Sequence, residues 1–102
     1  MIVKKPVECA SADEIRIEID RIDRQIISLF AERHKYIEEI VKFKHDENSI
    51  VALDRKEKVI NERKNWAKEA GLNPDTFKEI YTLLVESNIK HEMNILKINK
   101  SK

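Results

Sequence analysis

The chain has 102 residues, which is enough for one modest domain, and its 41% hydrophobic content is enough for one core. The 20 Lys and Arg residues nearly balance the 19 Asp and Glu residues, so we expect neither nucleic acid nor a membrane surface as a partner. Cys9 is the single cysteine, which excludes an internal disulfide bond, and no stretch predicts a transmembrane span or a signal peptide. These features predict a cytoplasmic protein.

The first predicted helix runs from Ala12 to Lys44. Ser11 and Glu14 have the spacing of a capping box, in which each side chain satisfies a backbone amide that has no partner inside the helix. Residues 1–10 are expected to form a flexible N-terminal segment. A single helical domain is therefore expected to cover residues 1–102.

Two shorter helices are predicted after the first. The polar run at residues 45–49 predicts a loop, because Asp, Asn and Ser side chains compete with helical backbone bonds. The second helix is predicted from Ala52 to Ala70, ended by Gly71 in the left-handed conformation. Asn73 then caps a third helix from Pro74 to about Ile98. Since no strand pattern occurs, the sequence predicts an all-α fold with one long and two shorter helices.

The first helix repeats its apolar residues at steps of three and four, which predicts one buried face. This apolar stripe consists of Ile15, Ile19, Ile22, Ile26, Leu29, Ile37 and Ile40. The second helix is too short to cover it, so we expect an intertwined homodimer rather than an extended coiled-coil rod. Opposite charges four residues apart on the outer faces, such as Glu38 and Lys42, are expected to pair at the surface.

Two cations interrupt the apolar side of the first helix. Arg33 stands where the stripe calls for an apolar residue, and Lys44 lies on the same side, about 16 Å further along. A buried cation needs an anion, which is supplied either by the protein or by a ligand. One such residue can reach the edge of the bundle or an internal carboxylate, but two in register favour a ligand site.

The third helix also carries polar residues in its apolar stripe. Asn88 and Glu92 follow Phe77, Tyr81 and Leu84 on one face and lie on adjacent turns. They can form a satisfied core pair with each other and the backbone. Together with the two cations, they instead predict a polar cavity suited to a small dicarboxylate.

Four basic residues at these spacings resemble those of the all-α chorismate mutases, and the resemblance covers nearly the whole chain. They are Arg16 in Glu-Ile-Arg-Ile-Glu, Arg33 in Ala-Glu-Arg-His, Lys44 in Lys-Phe-Lys and Arg55 in Leu-Asp-Arg. Further positions resemble the isochorismate–pyruvate lyase branch and the mutases close to it: Pro6, Cys9, Ile50 and the segment 66–72.

The resemblance implies a catalytic site without a cofactor. Arg33, Arg55 and, from the partner subunit, Arg16 would bind the carboxylates of chorismate or isochorismate, because guanidinium matches a carboxylate in bidentate fashion. Asn88 would also contact the substrate. Lys44 would donate to the ether oxygen, where negative charge develops as the bond breaks. No metal site is predicted, since the histidines lack the spacing of zinc ligands.

Three positions depart from the better-known mutases. Glu92 stands where many of them, and the dedicated lyases, have a glutamine that donates to the ether oxygen, and a carboxyl group donates only when it is protonated. Burial raises the pKa of such a carboxyl and nearby Lys44 lowers it, and we expect activity to favour acidic pH. Ala52 and Lys56 replace acidic residues that contact the ring hydroxyl, which blurs discrimination between chorismate and isochorismate.

Three functions follow from these residues. The first is chorismate mutase, an isomerase that rearranges chorismate to prephenate. The second is isochorismate–pyruvate lyase, which yields salicylate and pyruvate from the same site. The third is a non-catalytic helical module that binds a ligand or a partner protein. The loss of the glutamine at Glu92 favours the mutase over the lyase.

Overall fold

The computed structural model describes residues 2–101. Over this range the chain is helical and contains no strand, which confirms the all-α prediction. The α-helices are α1 (Ala12–Ile40), α2 (Glu47–Val51), α3 (Leu53–Glu69) and α4 (Pro74–Lys100), and single 3-10 turns lie at Pro6–Glu8 and Val41–Phe43. None of the helices within residues 2–101 has the length and apolarity that crossing a bilayer requires.

The chain divides into two compact units, Met1–Tyr36 and Ile37–Lys102, and the boundary falls inside α1. The first unit contains the N-terminal segment and most of α1. The second unit contains the end of α1 together with α2, α3 and α4.

Polar contacts fix the start of α1 in the first unit. Ser11 Oγ accepts a hydrogen bond from the Glu14 N–H at 3.2 Å, which is one of the two bonds of the predicted capping box. The Glu14 carboxylate accepts from the N–H of Ala10, at 2.5 Å, and from Lys4 Nζ, at 2.8 Å. The bond from Lys4 is the main cause of a lowered pKa of Glu14, and it raises the pKa of Lys4 in turn.

The apolar stripe of α1 is not covered within one chain. α1 has no buried residue, although its 29 residues carry the predicted periodicity. Between 42% and 64% of each stripe residue in the first unit remains exposed: Ile15, Ile19, Ile22, Ile26 and Leu29. The helix has therefore formed with the predicted apolar face, but a single chain leaves that face in contact with solvent.

The second unit has a small apolar core. Val41, Ile50 and Leu96 are at most 7% exposed and pack together. Since they come from the 3-10 turn, α2 and α4, this cluster holds three elements in contact. α3 lies against α4 and buries Val59 and Ile60.

Two boundaries around residue 45 were predicted incorrectly. α1 ends at Ile40 rather than Lys44, because the chain tightens into a 3-10 turn that Lys44 closes with an N–H bond to the Val41 carbonyl at 3.0 Å. The predicted loop contains α2, since the Asp46 carboxylate accepts from the Ser49 N–H at 2.8 Å and caps a short helix. This bond from Ser49 lowers the pKa of Asp46.

The other helix boundaries agree with the prediction. Gly71 has a φ of 79° and ends α3, and the N–H of Leu72 bonds to the Ala67 carbonyl at 2.8 Å, as in a Schellman motif. Asn73 caps α4 by accepting from the Thr76 N–H at 3.2 Å. The sequence carries no signal for the backbone conformation at the junction of α2 and α3, where Ala52 adopts the left-handed conformation with a φ of 38°.

Candidate active site

An ion pair inside the second unit joins the 3-10 turn to α4. Lys44 Nζ lies 3.4 Å from Glu92 Oε1, and the two side chains are 19% and 6% exposed. This separation is longer than the 2.7–2.9 Å of a strong charge-assisted hydrogen bond. Because an ammonium has three donors, contact with one carboxylate oxygen leaves donors for a ligand. The pair therefore places an ammonium and a carboxyl group together in a mostly dry environment.

Asn88 lies one turn before Glu92 on α4 and is buried as well. Residues four apart share one face of a helix, so both polar side chains lie on the same side of α4. Their inward position agrees with the interruption of the apolar stripe. The partly buried Ile89 and Met93 lie beside them on the same helix and pack against the core.

The first turn of α3 lies at the level of these α4 residues. Contacts between Lys56 and Glu86, at 3.4 Å, and between Arg63 and the Tyr81 ring, at 6.0 Å, show that the helices run antiparallel. That register sets Lys56 against Glu86, about half a turn before Asn88 on α4. Arg55, in the same turn of α3, is exposed.

Two predicted site residues belong to the first unit. Arg16 is exposed and bonds to Asp13 at 3.2 Å, which is a surface pair within one helix turn. Arg33 is half-buried. The structure thus brings together Lys44, Asn88 and Glu92, whereas the contact it shows for Arg16 is a local one.

The contact of Glu38 with α4 was not predicted. Glu38 was expected to pair with Lys42, but its carboxylate lies 3.0 Å from Nε2 of His91 on α4. Lys42 pairs instead with Glu39, three residues away. Local spacing offers Lys42 two acidic neighbours and gives no signal for a partner more than fifty positions away.

Comparison with known proteins identifies the family. The family model for chorismate mutase type II matches residues 15–93, a range that includes every predicted site residue from Arg16 to Glu92. The chain belongs to the chorismate mutase type II family. This membership supports an enzyme with chorismate mutase-type activity.

Two relatives show how far the similarity extends. The isochorismate pyruvate lyase of Pseudomonas aeruginosa is 30% identical over 91 residues, which are 89% of this chain and 90% of the relative. The T-protein of Haemophilus influenzae is 29% identical over 80 residues, which are 78% of this chain. The match covers only 21% of the T-protein, so the chain resembles one part of a much longer protein.

Proposed function

We propose that the chain is a chorismate mutase that rearranges chorismate to prephenate without a cofactor. The proposal rests mainly on the buried contact between Lys44 and Glu92, at 3.4 Å, with Asn88 one turn away. In a family that rearranges chorismate, a buried ammonium can stabilise the negative charge that develops on the bound dianion.

The rearrangement breaks the ether carbon–oxygen bond of the enolpyruvyl group while a carbon–carbon bond forms to the ring. Electron density builds on the ether oxygen before the new bond is complete. Lys44 donates a hydrogen bond to that oxygen, and this bond is stronger in the transition state than in the bound substrate. Glu92 donates a second hydrogen bond when it is protonated. The pocket also holds the enolpyruvyl group over the ring in a near-attack geometry.

The proposed enzyme is a homodimer in which α1 lies against a second copy. The stripe on α1 is apolar, regular and exposed in one chain, and a self-complementary contact along it removes that surface from water. Arg16 of the partner subunit and Arg33 then bind the substrate carboxylates, assisted by Arg55. Arg16 is exposed and pairs with Asp13 within one helix turn, so the guanidinium is available for such a role.

The second candidate is isochorismate–pyruvate lyase. The 30% identity to the lyase of Pseudomonas aeruginosa over 91 residues favours it, and Ala52, in place of an acidic residue, resembles that branch. The same site serves both reactions, which differ in the position of the ring hydroxyl and in whether carbon or hydrogen migrates. Glu92, in place of the glutamine of the dedicated lyases, favours the mutase.

Product analysis tests these candidates. Purified protein is incubated separately with chorismate and with isochorismate, and prephenate is distinguished from salicylate plus pyruvate by chromatography. We expect prephenate from chorismate, and about a 10²- to 10³-fold loss in the Lys44→Met variant, which has a similar shape but no charge. That variant, purified in parallel, also detects contaminating host enzyme.

Each remaining outcome contradicts part of the proposal. Salicylate and pyruvate from isochorismate, with no prephenate from chorismate, would establish the lyase instead. If neither substrate is converted by the wild-type protein, the chain is a non-catalytic module and the proposed activity is wrong, and equal conversion by the wild type and Lys44→Met would exclude the role of Lys44.

A further inference from the structure

The contact between Glu38 and His91 lies beside the proposed catalytic pair. The side chain of His91 is 37% exposed and that of Glu38 is 46% exposed, so the pair lies at the edge of the second unit. The carboxylate accepts from Nε2 at 3.0 Å, which is the length of a well-formed hydrogen bond. It connects the last turn of α1 to α4.

Consecutive residues of α4 bind the same short segment of chain. His91 precedes Glu92 and points about 100° away from it around the helix. Glu38 lies six residues before Lys44. The segment 38–44 is therefore held to α4 by one polar contact at its beginning and another at its end.

Val41 gives this segment a third point of attachment. It lies midway between the two polar contacts, is 3% exposed and packs against Leu96 of α4. An apolar contact fixes the separation of two elements more firmly than their rotation, because it has no directional requirement. A hydrogen bond has a preferred direction, so the bond from His91 to Glu38 also restrains the rotation of the segment about Val41.

We propose that Glu38 and His91 are a positioning pair that aims Lys44 at the reacting ether oxygen. This inference rests on the proposed function. The side chain of Lys44 has four rotatable bonds, and a contact as long as 3.4 Å to Glu92 restrains it only loosely. The position of its backbone therefore matters for where the ammonium lies, and an error of about 1 Å in such a site is enough to reduce the rate about 100-fold.

Steady-state kinetics on the full chain test the positioning role. Glu38→Ala and His91→Ala are each expected to lower kcat about 10-fold and to change KM less than about 2-fold. The double variant should be no slower than either single variant, because the two substitutions remove the same contact between Glu38 and His91. Glu38→Gln should restore most of kcat, since an amide oxygen still accepts from Nε2. Glu39→Ala is the matched control, because it removes the neighbouring carboxylate that pairs with Lys42.

Unchanged kcat in both single variants, or multiplied losses in the double variant, would overturn the inference. A loss of kcat in Glu39→Ala equal to that in Glu38→Ala would do the same. Thermal unfolding identifies any variant that fails to fold. If an alanine variant fails to fold, the kcat of Glu38→Gln is used to test the inference instead.

NMR relaxation at Cε of Lys44 separates this inference from the proposed activity. Greater mobility in Glu38→Ala supports positioning even if neither substrate reacts, and unchanged mobility contradicts it.

Discussion

The two units of the chain use apolar residues in different ways. The first unit carries a long regular stripe on α1 and buries none of it. The second unit has less regular patterns, yet it forms a core around Val41, Ile50 and Leu96 and places a polar pair beside it. Helical periodicity therefore reports that a face is suited to burial, but it does not say which molecule covers it.

The same contrast divides the proposed site. Lys44 and Glu92 meet within one chain, because the core of the second unit holds the 3-10 turn on α4. Arg16 lies on the exposed helix of the first unit, where it contacts only a neighbouring acid among the contacts shown. We therefore expect the two parts of the site to respond differently to changes in assembly.

The largest effect is expected from a charge in the stripe. Ile22→Lys places an ammonium on the face proposed to contact a second copy. Because a two-fold dimer contains the substitution twice, the loss of binding free energy is doubled. At about 1.5–3 kcal/mol for each buried side chain, dimerisation should weaken about 10²- to 10⁴-fold. Sedimentation equilibrium measures the change, and circular dichroism on dilution shows whether α1 unfolds when copies separate.

Ile17→Lys is the control for this substitution. Ile17 lies on the same helix about 140° from Ile22 and is 61% exposed. The control should dimerise like the wild-type chain. If both variants dimerise normally, or both fail equally, the stripe does not form the interface.

Mixing two inactive variants sharpens the comparison further. Arg16→Ala and Lys44→Ala should each lose at least about 10²-fold in kcat/KM. If Arg16 acts across the interface, half of the dimers in an equal mixture contain one complete site. Activity should then recover to about one quarter of the wild-type value. Assays after co-refolding measure it, and no recovery would mean that Arg16 and Lys44 act within one chain.

A smaller effect is expected at Glu92. A carboxyl group donates a hydrogen bond only when it is protonated, so kcat of the wild-type protein should fall as the pH rises. Glu92→Gln should give a nearly flat profile between about pH 5 and about pH 8, because an amide does not titrate there. Glu79→Gln changes an exposed carboxyl on the same helix and is the control. A sloping profile in Glu92→Gln that matches the wild type would exclude the donor role.

The sequence predicts the helices well where the signal is local. Ser11, Gly71 and Asn73 each act through bonds to residues a few positions away, and all three boundaries agree with the structure. The error at Asp46 has a local cause too. An Asp that caps a helix and an Asp that opens a loop make the same bond to a backbone amide, so one residue cannot distinguish them.

The sequence predicts the site less completely, because its contacts are long-range. Periodicity alone indicates that Asn88 and Glu92 face inward, since one helix determines the direction of both side chains. It does not identify which acid meets Lys44, or that Glu38 contacts His91. Those contacts depend on how α4 packs against the end of α1, which no short window of sequence specifies.

The smallest effects are expected at the two left-handed residues of the second unit. Gly71 has a φ of 79°, and a β-carbon there would meet no atom within 4 Å, so Gly71→Ala tests backbone conformation without a steric clash. It should lower the free energy of unfolding by about 1 kcal/mol.

Ala52→Gly should instead raise the free energy of unfolding by a few tenths of a kcal/mol at most. The substitution relieves strain at a φ of 38°, but the greater entropy of the unfolded chain partly offsets this gain. Urea unfolding at fixed protein concentration measures both. Since neither position lies in the first unit, the dimer dissociation constant of both variants should equal that of the wild type, and a weaker dimer in Gly71→Ala would show that the end of α3 also contributes to assembly.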